Sequence, residues 1–158
     1  MPCFSYRRYT NTFLGLYDTG TCILPSDGSG SVVNWPDQQL RNGKKKNNDT
    51  GHRYKNFVRA LKNAENTLAD AGVIEELPSY LMECLVYNVP NAVLRRGSDL
   101  SSGFEETLTC LAEMLAAPLM MVTMIEPNEI KSLFGGNSWT PEQAKQLIAE
   151  TRRLLDYP

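Results

Sequence analysis

A chain of 158 residues and 17.7 kDa, 42% hydrophobic and 22% charged, is the size of one domain, can bury a real core and is not a wholly disordered chain. Its formal charge of −2 is unevenly spread: residues 41–62 hold Arg41, Lys44, Lys45, Lys46, Arg53, Lys55, Arg59 and Lys62 against Asp49 alone, while the remainder carries eight bases and seventeen acids. That asymmetry suits an anionic ligand better than non-specific binding of nucleic acid, which favours broader positive charge, although a solvated loop and helix face would look the same.

The first third has strand and turn chemistry. Cys3 to Tyr9 is short and aromatic-rich. The runs Thr21-Cys22-Ile23-Leu24 and Ser31-Val32-Val33-Asn34-Trp35 flank Pro25-Ser26-Asp27-Gly28-Ser29-Gly30, which predicts a β-hairpin with a flexible loop. Pro36 has no amide hydrogen for a ladder and ends the strand. A short helix over 37–42 is expected next, then a polar connection from Gly43 to Gly51.

Tyr54, Phe57, Val58, Leu61, Ala64 and Leu68 recur at three- and four-residue intervals and predict a helix from His52 to Asp70, with Gly72 ending it. A further helix runs from Pro78 to Asn88, and another from Ser101 or Ser102 to Ala116, where Pro118 stops it. The final helix has the sharpest start: in Thr140-Pro141-Glu142-Gln143, threonine caps, proline takes the first turn, and Gln143 reaches back to the cap. The expected fold class is α+β and mainly helical, a small sheet followed by a helical bundle.

Several chemistries are missing. No apolar run approaches the ~18 residues that cross a bilayer, and Met1 to Arg8 lacks the apolar segment of a signal peptide. Cys3, Cys22, Cys84 and Cys110 form no C-x-x-C pair and His52 is the sole imidazole, which argues against zinc and for reduced thiols in a cytoplasm. That histidine has no nucleophile marked beside it, and nothing matches a Walker loop. Gly28-Ser29-Gly30-Ser31 leads into a strand rather than a helix N-terminus, which favours a hairpin turn over a phosphate cradle. No D-x-D pair is present to hold two divalent cations. Glu75-Glu76 and Glu105-Glu106 diverge on their helices and read as surface charge.

Lys55, Arg59 and Lys62 fall at i, i+4 and i+7, one stripe about 140° from the centre of the apolar face. Three cations on a rigid line either contact successive phosphates or face water. Ser79 lies at a helix start, where amides and a hydroxyl favour an anion, and Tyr80 offers an aromatic face for a base. The plain alternatives are an ordinary helix-start serine and a core tyrosine with its hydroxyl at the surface.

Asn34-Trp35-Pro36, Lys46-Asn47, Thr50-Gly51-His52-Arg53-Tyr54-Lys55 and Val58-Arg59-Ala60-Leu61-Lys62 together resemble bacterial cGAS/DncV-like nucleotidyltransferases. So do Pro78-Ser79-Tyr80-Leu81-Met82-Glu83-Cys84-Leu85, Leu133-Phe134 and Trp139-Thr140, in the right order across nearly the whole chain. The resemblance implies a cyclic-oligonucleotide synthase of anti-phage signalling that joins nucleoside triphosphates. By similarity, Lys62 contacts donor phosphates, Ser79 helps to hold them and Tyr80 stacks on the base. Lys55 and Arg59 join them as nucleotide-binding candidates from their place on the same stripe.

The family's Gly-Ser and D-x-D signature and its third metal-binding acid lie upstream of Met1-Pro2-Cys3-Phe4. The chain is therefore expected to be the C-terminal half: residues 1–36 the last palm strands, residues 37–158 a helical nucleotide-binding lobe, the two forming one unit. No catalytic or metal-binding residue is assigned to it, and Mg2+ is expected only with the other half. Expected partners are nucleoside triphosphates and either that N-terminal half or an intact synthase. An uncovered apolar surface, with either self-association or marginal stability, is also expected. The alternative is a standalone non-catalytic protein that binds nucleotides or cyclic nucleotides, or docks on a synthase.

Overall fold

The computed structural model describes residues 3–25, 30–136 and 138–157. Three strands, β1 (Cys3–Asn11), β2 (Leu16–Ile23) and β3 (Val32–Asn34), form an antiparallel sheet in sequence order. Seven helices follow among the described residues: α1 (Pro36–Asp49), α2 (Arg53–Asp70), α3 (Ser79–Asn88), α4 (Asn91–Leu94), α5 (Leu100–Ala116), α6 (Pro118–Val122) and α7 (Pro141–Leu154). The fold class is α+β and mainly helical, as the sequence implies.

The predicted hairpin is present. Thr21 pairs with Asn34, Cys22 with Val33 and Ile23 with Val32, while Ser26 to Ser29 of its loop lie outside the described residues. β2 begins earlier than expected, at Leu16, because it also pairs with β1 from Cys3–Ile23 to Asn11–Leu16. Every residue of β1 is exposed, and Phe4, Tyr6 and Tyr9 are each about half accessible. The expected uncovered apolar surface is therefore on the sheet. Its junction with the helices is narrow: Tyr6 meets Trp35 edge to face at 5.7 Å, and Gln38 of α1 donates to the carbonyl of Thr19 at 3.2 Å. Gly20 is buried beneath Trp35, where a Cβ would lie 2.8 Å from the ring and from the Asn34 carbonyl.

The core is helical. Tyr54, Phe57 and Leu61 of α2, Leu81, Met82 and Leu85 of α3, Leu108 and Leu111 of α5, and Leu147 and Ile148 of α7 belong to one buried cluster. Truncating one such leucine to alanine costs about 2–5 kcal/mol. The cluster takes no residue from the strands or α1.

Four expectations need correction. Residues 43–49 are not a connection, because α1 continues to Asp49. Gly43 does not stop the helix: it is buried within α1, a Cβ there would make ordinary contact with the Glu83 carboxylate at 3.6 Å, and the neighbouring lysines suit a helix. The break comes at Gly51 and His52, both left-handed at φ 59° and 67°. His52 thus precedes α2 instead of opening it, and Asn47 of α1 caps the new helix by accepting the Lys55 N–H at 3.1 Å. α3 opens at Ser79, with Pro78 in the cap position. α5 is capped by Asp99, not by a serine; Ser102 is its reciprocal partner three residues on. Pro118 ends α5 and also opens α6. The capping box of Thr140 and Gln143 at α7 is as predicted.

Candidate functional site

Because α1 is continuous, it runs beside α2 and α3 and leaves a cleft of about 200 Å³ between them. Gln39, Gly43 and Lys44 enter from α1, Lys55 and Arg59 from α2, and Glu83 from α3. Leu40 and Val58 supply apolar wall. The absence of a side chain on Gly43 keeps the cleft open next to Glu83 and Tyr54. Among the described residues Lys44 and Lys55 form no ion pair, and Arg59 reaches only Asn56 at 3.5 Å.

Glu83 balances this charge weakly. Burial raises its pKa, while a hydrogen bond from Gln39 at 3.4 Å and the charge of Lys55 pull it back down. The hydroxyl of buried Tyr54 donates to the Glu83 carbonyl at 3.4 Å, and burial pushes that phenol above its ordinary range. A cleft with an apolar wall and three cations of unspent charge accommodates an anion that also carries a flat or apolar part.

The five residues singled out from sequence separate into two groups. Lys55 and Arg59 line the cleft; Lys62, Ser79 and Tyr80 do not. Lys62 is exposed further along α2. Ser79 is exposed as the first residue of α3, a helix with no side-chain cap. Glu65, three residues after Lys62, accepts the Leu77 N–H at 2.7 Å, which holds the approach to Ser79 against the same stretch of α2. Tyr80 is half-buried. Its ring stands edge-on to Trp139 at 6.2 Å, and its hydroxyl donates to the buried Glu126 at 3.1 Å instead of reaching the surface. Burial, then the neighbouring Cys84 and Glu126, raise its pKa.

Sequence reasoning missed Gln39, Gly43 and Glu83 as cleft residues. The signal for the first two was available in the four-residue spacing Gln39–Gly43, which places the pair on one helix face once α1 is read as continuous. On another side of α1 the ammonium of Lys46 donates to the Val89 carbonyl at 2.8 Å and Asn91 Oδ1 at 2.9 Å, and lies 5.2 Å from the Tyr87 ring centre. Burial lowers its pKa to about 8. Among the described residues no group of three or more histidines, cysteines or acids could hold a metal ion. The four cysteines are unpaired thiols, and no described helix is long and apolar enough to cross a membrane.

Residues 41–156 match the family described as the cGAS/DncV-like nucleotidyltransferase C-terminal helical domain. The chain belongs to that family. It is 37% identical over 151 residues to the cyclic dipyrimidine nucleotide synthase CdnE of Legionella pneumophila, covering 94% of this chain and 49% of that protein. To the cyclic UMP-AMP synthase of Rhodothermus marinus it is 32% identical, over 92% of this chain and 50% of the relative. Among solved structures, it superposes on Elizabethkingia meningoseptica CdnE cyclic dinucleotide synthase with GTP and Apcpp. The TM-score is 0.84 at 28% identity, over 99% of this chain and 57% of that one. The Rhodothermus marinus CdnE c-UMP-AMP synthase with Apcpp and Upnpp gives 0.85 at 28% identity, over 98% and 52%. The chain thus spans about half the length of the curated relatives it matches.

Proposed function

We propose that this chain is the nucleotide-binding part of a cyclic-oligonucleotide synthase acting in the cytoplasm in anti-phage signalling. The observation that carries the reading is the cleft of α1, α2 and α3, where Lys44, Lys55 and Arg59 have charge to offer a phosphate beside an apolar wall. Lys62, Ser79 and Tyr80 extend that surface along α2 and the start of α3, with Lys62 on the donor phosphates, the Ser79 hydroxyl beside it and the Tyr80 ring against the base. The solved structures of relatives with GTP, Apcpp and Upnpp support a triphosphate as the ligand class.

In this reading the magnesium ions of the transfer are held by acids of the N-terminal part of the synthase rather than by this chain. The same reading gives the exposed sheet its role. Phe4, Tyr6 and Tyr9 would pack against the N-terminal part of a synthase, and without that cover the chain would self-associate.

Calorimetric titration with non-hydrolysable ATP and UTP analogues tests the proposal. Binding with a Kd of about 1 mM or tighter is expected, weakened about tenfold in Lys55→Ala and in Lys62→Ala. Absence of saturable binding, combined with tight capture by an intact synthase, would replace this reading with that of a docking protein.

A further inference from the structure

α5 and α7 pack side by side and leave a groove of about 400 Å³ that shares no residue with the nucleotide cleft. Its apolar lining is mostly small: Ala112 and Ala116, one turn apart on α5, and Ile148 and Ala149 on α7, with Tyr157 beside them. Lys145 and Arg152, seven residues apart and therefore on one stripe of α7, line the same groove. Neither forms an ion pair or side-chain hydrogen bond among the described residues, and Arg152 is half-buried. Its neighbour Arg153 is already engaged, with Glu150 at 2.5 Å.

Exposed apolar residues follow Ala116 closely in the chain. Ala116 lines the groove, and two residues later Pro118 opens α6, where Leu119 and Val122 are 84% and 67% exposed. A lining rich in alanine lets another backbone approach closely, as helices do when their axes pack about 8–10 Å apart. The concave shape suits a rod better than a flat bilayer surface. The unpaired cations select the sign of what lies in it.

We propose that this groove docks an acidic amphipathic helix of a partner protein. Its apolar side chains sit on Ala112, Ala116 and Ala149 and reach Leu119, and its carboxylates meet Lys145 and Arg152.

Fluorescence anisotropy with a labelled synthetic helix of about 18 residues, leucines at three- and four-residue spacing and glutamates elsewhere, tests this. Saturable binding is expected, at least about tenfold weaker for the double variant Lys145→Glu, Arg152→Glu and for Ala149→Trp, which fills the groove from an exposed position. The control Lys44→Glu, Lys55→Glu on the nucleotide cleft should bind the peptide as the parent does, and a lysine-for-glutamate peptide should not bind. Circular dichroism confirms that each variant keeps its helices. No saturable binding, equal binding of both peptides, or indifference to the groove substitutions would overturn the proposal. So would phosphatidylglycerol vesicles, or a second copy in sedimentation, engaging Lys145 and Arg152 while the acidic peptide does not.

Discussion

The carboxylate of Glu65, only 2% exposed on α2, accepts the backbone N–H of Leu77 at 2.7 Å. Leu77 stands immediately before Pro78 and the start of α3. One buried acid thereby fixes where α3 begins relative to α2. Glu65→Leu strands that amide without an acceptor and should lower stability by about 1–3 kcal/mol in urea unfolding. Glu65→Gln keeps a carbonyl oxygen and should lose less. Triphosphate affinity should fall further in Glu65→Leu than in Glu65→Gln, with Lys62 itself untouched.

Gly43 separates two effects at one position. A Cβ there makes ordinary contact at 3.6 Å with the Glu83 carboxylate, so Gly43→Ala should stabilise α1 by about 0.5–1 kcal/mol in thermal unfolding. Gly43→Leu places a branched side chain in the cleft and should abolish triphosphate binding in titration while the helices remain. Unchanged binding in Gly43→Leu would remove the cleft from the site.

Lys46 predicts a pH dependence of known sign. Its folded pKa is lowered to about 8 from the ordinary 10.5, chiefly by burial. Below pH 8 the lysine is protonated in both states, and the folded protein carries the full cost of a charge withdrawn from water. Between about pH 8 and 10.5 the folded state releases the proton while the unfolded state keeps it, so stability rises. With part of the side chain still in water and two acceptors at hand, about 1–2 kcal/mol is expected across the window. Unfolding at pH 7.5 and 9.5 should show this gain in the parent protein and lack it in Lys46→Met.

Tyr80 distinguishes ring from hydroxyl. Tyr80→Phe takes a donor from the buried Glu126 and should destabilise by about 1 kcal/mol, yet keep the affinity for triphosphates because the ring remains. Tyr80→Ala should lose that affinity. Equal affinities in the two variants would assign Tyr80 to packing alone.

The elements legible in the sequence are those whose signals are local. The stripe from Tyr54 to Leu68 and the Thr140–Gln143 capping box needed no tertiary information. Gly43 misled because a glycine after a short helix looks the same as a glycine inside a longer one, and only the packing of α1 beside Glu83 and Tyr54 tells them apart. The cap of α2 could not be read either, since its acceptor, Asn47, belongs to the preceding helix. The candidate site was half legible: the spacing of Lys55 and Arg59 put them on one face, but Glu83 across the cleft comes from a helix more than twenty residues away. Tyr80 was marked for its ring, while the acid that holds its hydroxyl lies in a connection without periodic pattern.

The helical core closes without a single side chain from β1, β2 or β3. Backbone amides of the sheet and of the helices should therefore exchange with deuterated solvent as two separate populations. Those facing out from β1, an edge strand exposed along its whole length, should exchange within moments of mixing, and those of α3 and α5 only on global unfolding. A protein that covers the sheet would slow the first population and leave the second alone, so exchange along β1 serves as a built-in reporter of what this surface meets.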